Sequence, residues 1–318
     1  MNDIERYIDP LTDFGFKRLF GSEPDKDIMI DFLNALFEGE KTIADITYSP
    51  TEFNGEGAKE KKVLFDLTCT GQDGEKFIIE MQRTDQEFLK DRCVFYMSRL
   101  VSAQLPKGTS NWDTALKEVY LIGIMEFQFN NINNSYLHNI ALVNTDTGKV
   151  FYKGMGYKFL ELPNFDKREQ DLETDLDKWF YLLKNLSRLD KIPDFLDKRV
   201  FQKIFKIAEM SNMTNEEREL YFSDVKAKSD WNAGIRFAEK KAAEKAKIEG
   251  IKEGRIEGKA EGLVEGRIKG KTEGKAEGLE EGKAEATINM AKLLKQKMMP
   301  IQDIADITGL SFCEIELL

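Results

Sequence analysis

The stretch KVLFDLTCTGQDGEKFIIEMQR, residues 62–83, decides how this chain folds. Two runs rich in β-branched and aromatic residues flank Gly71-Gln72-Asp73-Gly74, a pattern that predicts two antiparallel strands joined by a tight turn. Asp66 falls in the first run and Glu80 in the second. Side chains alternate along a strand, so Glu80 and Gln82 project from one side of theirs. An acid set among Phe65, Leu67, Ile78 and Ile79 is costly unless its charge is compensated. Two readings of the pair stay open on spacing alone. They are solvent-facing residues of a half-exposed hairpin, or oxygen ligands of a hard cation such as Mg²⁺ or Mn²⁺.

Upstream, Thr12 or Asp13 can cap a short helix carrying Phe16, Leu19 and Phe20. A second helix is expected from Pro24 and Asp25, with Ile28, Phe32, Leu33, Leu36 and Phe37 on one side and Gly39 as its stop. Residues 44–53 read as a first strand. Downstream, residues 84–105 read as an amphipathic helix that Pro106 ends. Strands are expected at 119–127 and 139–144, with a weaker one near 157–162. From about Asp171 to Lys228 helices dominate, with Trp179, Phe180, Leu183, Leu186, Phe201, Ile204, Phe205 and Ile207 as core candidates. Helix, three strands, helix, strand is the order of a mixed α/β fold rather than a doubly wound parallel sheet.

Composition narrows the chemistry. The chain has 318 residues, 41% apolar and 33% charged, and a formal net charge of −10. That acidity argues against a protein that coats nucleic acid generally, although a local basic groove can coexist with it. No apolar run approaches the ~18 residues needed to span a bilayer, and the first residues do not resemble a secretory signal. Cys69, Cys93 and Cys313 are odd in number and far apart, with neither zinc-site nor disulfide spacing; this suits a reducing cytoplasm. His138 is the only histidine. It sits before an apolar strand, where a structural role is expected, and its solitude disfavours His-based triads and His-rich metal sites. Acid-based chemistry remains.

Residues 249–283 change character. Glycine recurs every fourth position from Gly250 to Gly282, and nearly every one follows a glutamate. On a helix this divides the surface into Glu, Gly, Lys/Arg and small-apolar columns, the last carrying Ile256, Ala260, Val264, Ile268 and Ala276. Nine glycines each cost about 1 kcal/mol relative to alanine, so a lone helix is marginal. Paired helices of coiled-coil type, matching acidic to basic columns across a thin seam, make better sense of the pattern. A strict period of four drifts against 3.6, so no straight partner follows it throughout. A charged flexible linker is the alternative. Residues 287–318 read as two short helices around Thr308-Gly309-Leu310. Glu314 and Glu316 on the second favour a dimerisation or docking element over a DNA reader.

Taken in order, DPLTDFGFKRLFG (9–21), a Leu/Phe-rich helix, VLFDLTC (63–69), IIEMQR (78–83) and DRCVFYMSRL (91–100) resemble the PD-(D/E)XK nuclease superfamily. Within it, the Rpn group of recombination-promoting nucleases and transposases is the nearest likeness. The resemblance covers residues 7–130 in motif detail, and the glycine–glutamate tail is also similar to tails of that group. It implies a restriction-endonuclease-like mixed sheet flanked by helices. A helical region, the long Gly-Glu-repeat helix and a small helical C-terminal element follow that sheet. The expected organisation is a nuclease-like core over 1–165, a helical region over 166–232, a repeat rod or linker over 233–286 and a helix-turn-helix-like element over 287–318.

The resemblance also implies roles. Asp66 is similar to the superfamily's metal-binding aspartate and Glu80 to its second acid, with Mg²⁺ or Mn²⁺ held by both and by the Met81 carbonyl. Gln82 occupies the place usually held by lysine, and glutamine is usual in the Rpn group. Asp13 and Lys17 of the N-terminal motif, and Arg92 and Tyr96 of the following helix, are supporting positions. The implied activity is Mg²⁺-dependent hydrolysis of DNA phosphodiesters in recombination or mobile-element biology, with no small-molecule cofactor and no membrane partner. Homo-oligomerisation through 249–318 is expected beside it. The alternative is a catalytically weak or inactive nuclease-like protein assembled through that tail. RNA is a further substrate option.

Overall fold

The structure, a computed structural model, describes residues 5–53, 63–105, 115–128 and 135–318. It divides into two compact units, Met1–Trp231 and Asn232–Leu318.

The first unit opens with α1 (Asp13–Phe20), capped by Thr12, whose hydroxyl accepts the Gly15 N–H at 3.0 Å. A single 3₁₀ turn with Pro24 then leads into α2 (Lys26–Leu36). The expected first strand is two strands, β1 (Ile46–Tyr48) and β2 (Glu52–Phe53). Pro50 lies between them, and proline cannot donate to a ladder. β2 pairs with β3 (Val63–Leu64) as a separate ribbon. β4 (Leu67–Gly71) and β5 (Lys76–Gln82) form the hairpin expected around Gly71–Gly74. α3 (Leu89–Ser102) follows, then β6 (Val119–Met125), β7 (Leu137–Val143) and β8 (Val150–Glu161).

β8 is far longer than the segment expected near 157–162. Gly154 and Gly156 interrupt the apolar alternation that would have announced it, and Gly148, at φ +69°, closes the β7–β8 hairpin. Helices α4 (Asp175–Asn185), α5 (Arg199–Ala208) and the start of α6 (Asn215–Gln296) complete the unit.

The main sheet has six strands in the order β1-β4-β5-β6-β8-β7. β5, β6 and β8 run parallel, and the other pairings are antiparallel. β6 is buried at every position, as a central parallel strand covered on both faces should be. One face, with Phe77, Ile79, Ile122 and Leu160, packs against α1, α2, α4 and α5. Trp179 sits at the centre of that layer, 5.4 Å from the Phe32 ring and 5.3 Å from Phe201, its indole N–H donating to Asp31. The other face, with Ile78, Leu121, Met125 and Phe159, is covered by Leu89, Cys93, Met97 and Leu100 of α3. The catalytic candidates lie on this second face, at the C-terminal end of β5.

The second unit is helical. α6 runs on to Gln296, with its side chains exposed through the glycine repeat. A Cβ built on any glycine from Gly250 to Gly282 would meet nothing within 4 Å. α7 (Ile301–Thr308) ends at Gly309, φ +74°, and α8 (Phe312–Leu317) begins with a Ser311–Glu314 capping box. Ala291, Ile304 and Ile315 form their small core. Among the described residues, no helix is long and apolar enough to cross a membrane.

Candidate active site

The turn that sets the site is built by glycine. Gly71 donates its N–H to the Glu75 carbonyl at 2.8 Å, and Gly74 takes φ +85°. That fixes the register at Leu67 opposite Ile79, so Asp66 falls opposite Glu80. There the ladder stops. The Met81 N–H, which a continuing ladder would give to the Phe65 carbonyl, donates to Asp66 Oδ2 at 2.7 Å. Phe65 turns away and donates its own N–H to Thr51. A strand residue sends its N–H and C=O to the same edge, so the Met81 carbonyl also leaves on the Asp66 side.

The Asp66 N–H donates to Glu80 Oε1 at 3.3 Å, and Gln82 Nε2 donates to Glu80 Oε2 at 3.1 Å. Glu80 and Gln82 are buried, 4% and 8% exposed. The solvent-facing hairpin is thereby excluded for Glu80. Burial, reinforced by the Asp66 charge, pushes the Glu80 carboxyl up to about 8. Asp66 is also raised, chiefly by burial. The Met81 N–H opposes that shift, Asp13 adds to it, and Lys17 and Arg83 pull against it.

The supporting residues fall into two groups: Arg92 and Tyr96 line a cavity with Glu80 and Gln82, whereas Asp13 and Lys17 line a separate cavity on α1 and reach Asp66 only through their charges. Asp13 and Lys17 pair at 2.9 Å one turn apart on α1, and both charges reach Asp66. Arg92 on α3 donates to the Tyr96 hydroxyl at 3.2 Å and to Gln86, and its charge favours ionised Glu80. Glu80, Gln82, Arg92 and Tyr96 line one small cavity. His138 lies elsewhere, its Nε2 3.0 Å from an oxygen of the fully buried Glu161.

Several neighbours are not evident from sequence spacing. Gly123 stands opposite Glu80 on β6, and a Cβ there would lie 2.7 Å from the Phe159 ring. Glu126, just past β6, donates its N–H to the Gln82 carbonyl. Its carboxylate accepts from Lys228 of α6 at 2.7 Å, and Lys228 also reaches Asp9 at 2.9 Å. Arg83 could have been found, since it adjoins the motif. Lys228 could not, because 102 residues separate it from Glu126.

Among the described residues, no three His, Cys, Asp or Glu side chains converge as a metal cluster. The donors present are two carboxylates and a backbone carbonyl edge. They suit a hard divalent ion that takes one or two carboxylates and keeps its waters. The raised Glu80 and Asp66 mark a place short of positive charge.

No curated protein and no solved structure matches the chain significantly. The family model for PD-(D/E)XK nuclease family transposases matches residues 10–238, from the N-terminal motif through the sheet and into α6. Asp66 just before β4 and Glu80 on β5, the mixed sheet behind them and this match together place the chain in the PD-(D/E)XK nuclease family transposases.

Proposed function

We propose that the protein is a metal-dependent DNA endonuclease of the recombination-promoting type, with Mg²⁺ or Mn²⁺ held by Asp66, Glu80 and the Met81 carbonyl. The observation that carries this reading is the juxtaposition of Asp66 and Glu80, each bonded to a backbone N–H at the broken end of one ladder. When bound, such an ion supplies Lewis-acid polarisation of a phosphate and lowers the pKa of a water.

The chain's own groups have separate tasks. Gln82 orients Glu80 through its amide N–H and leaves a carbonyl oxygen able to accept from water. Arg92, steadied by Tyr96, and Lys17, steadied by Asp13, are the cations placed to meet charge on phosphoryl oxygens. DNA as the substrate follows from the family. The tail, residues 249–318, is proposed to assemble copies of the chain through its small-apolar column.

Plasmid nicking with Mg²⁺ tests the site, comparing wild type with Asp66→Asn and Glu80→Gln. Loss in both variants is expected; equal activity in all three proteins would place the chemistry elsewhere. A nuclease-like protein with little turnover is the second reading. It is favoured by one observation, that neutral Gln82 stands where a lysine would bring charge. Deleting residues 249–318 should lower the number of copies per particle, read from the mass in solution, and an unchanged oligomeric state removes the assembly role.

A further inference from the structure

α3 carries a stripe that the chemistry above only partly uses. Phe88, at the N-cap, is followed by Arg92, Phe95 and Arg99, at steps of four, three and four. At about 100° per residue, these four stay within a sector of roughly 60°. The buried side of the helix, with Leu89, Cys93, Met97 and Leu100, points to the sheet. The stripe lies on the flank shared with Tyr96, and Asp91 and Ser98 lie beyond it on the other side.

Phe88 is 62% exposed and Phe95 40%. A single exposed aromatic needs no explanation, but two in register with two guanidiniums form a pattern. Arg99 sits 5.7 Å from the Phe95 ring centroid. Arg92 is the residue whose charge reaches Glu80. The stripe therefore passes Glu80 at Arg92, with Phe88 on one side of that point and Phe95 and Arg99 on the other.

We infer that this stripe is a track for single-stranded or locally unpaired nucleic acid, with Phe88 and Phe95 stacking on bases and Arg92 and Arg99 meeting phosphates. The inference rests on the proposed nuclease reading and narrows its substrate. The two rings are about 10 Å apart along the helix axis, at ~1.5 Å per residue, so they address two bases rather than one. In a duplex the base faces are already stacked and unavailable to a side chain. Unpaired bases offer those faces, and stacking on aromatics with nearby arginines is how sequence-tolerant single-strand binding works. A purely apolar protein partner fits less well, since covering the rings would desolvate two like-charged guanidiniums.

The test is fluorescence anisotropy with full-length protein in EDTA, using labelled dT20 and a 20-base-pair duplex as probes. Tighter binding of dT20 is expected. Phe88→Ser and Phe95→Ser should each weaken dT20 binding about tenfold with under a twofold effect on the duplex. Phe95→Trp should restore it. Arg99→Gln should flatten the salt dependence for both probes. Equal dT20 affinity in wild type and the double serine variant, with unchanged circular dichroism, overturns the inference. So does a wild-type dimer that the serine pair converts to monomer, which would make the stripe a self-association face. Because binding is read without turnover, nicking that persists beside failed binding rejects this inference alone. Binding that holds while nicking is absent from wild type rejects the nuclease reading instead.

Discussion

The backbone N–H of Asp66 donates to the Glu80 carboxylate at 3.3 Å, while the Asp66 carboxylate takes the N–H of Met81, the next residue after Glu80. Each acid is thus tied to the strand that carries the other. Two acids that would repel each other as ions are held side by side by the hairpin's own backbone.

That arrangement has a pH signature. Glu80 titrates near 8 in the folded protein, against an ordinary 4.5. Between those values the folded state keeps a proton that the unfolded chain has released. Stability is therefore lost as pH rises from about 4.5 to 8. Glu80→Gln removes this cost. In EDTA at pH 8.5, the variant should be more stable than wild type by roughly 2–4 kcal/mol, converging with it near pH 4.5. Urea denaturation at both pH values checks this, and a difference independent of pH would contradict it. Mg²⁺ should raise the wild-type melting temperature more at pH 8.5 than at pH 6, because carboxylates must lose their protons to ligate.

Gln82 is buried and 3.1 Å from Glu80. An ammonium in its place would favour ionised Glu80. Gln82→Lys is expected to make the loss of stability smaller and end it below pH 8, and to retain or increase cleavage. Complete loss of nicking in a normally folded Gln82→Lys protein would contradict the placement of this residue beside Glu80 and the attacking water.

Gly123 keeps space beside Glu80. In Gly123→Ala the new Cβ would lie 2.7 Å from the Phe159 ring, and a well-packed core charges about 1–3 kcal/mol for such an intrusion. A urea midpoint unchanged from wild type would show that Phe159 yields freely.

Lys228 joins Asp9 to Glu126 and is 17% exposed at its side chain. Lys228→Met leaves both acids without their cation, at a cost of about 2–4 kcal/mol. Burial already raises Glu126, and Lys228 holds it down. Without the lysine it should take up a proton more readily. The loss should then be smaller at pH 5 than at pH 8, and equal losses would mean that Glu126 is not the group left exposed to the change.

Local signals made much of this legible in the sequence. Gly71 and Gly74 announced the hairpin, and with it one acid on each side of the turn; the register that sets Asp66 against Glu80 is the structure's. Thr12 or Asp13 announced the start of α1, Thr12 proving to be the cap, and Thr308-Gly309-Leu310 announced the turn between the last helices. What escaped lacks local signature. Only the end of β8, near 157–162, was legible, because Gly154 and Gly156 break the alternation that identifies a strand. Glu126 and Lys228 meet only because β6 and α6 are brought together by tertiary packing. Gly123 looks like any strand glycine until Phe159 is placed beside it.

The early stop of the β4–β5 ladder bears on how this protein can be interrogated. Asp66 acts as punctuation as well as a candidate ligand: its carboxylate occupies a donor that would otherwise extend the strand. Alanine at this position erases both functions together, freeing the Met81 N–H either to go unsatisfied or to recruit Phe65 and zip the hairpin one step further. Asparagine keeps an acceptor of the same reach and withdraws only the charge. A defect shared by both variants speaks about chemistry, and one confined to alanine speaks about where a strand ends.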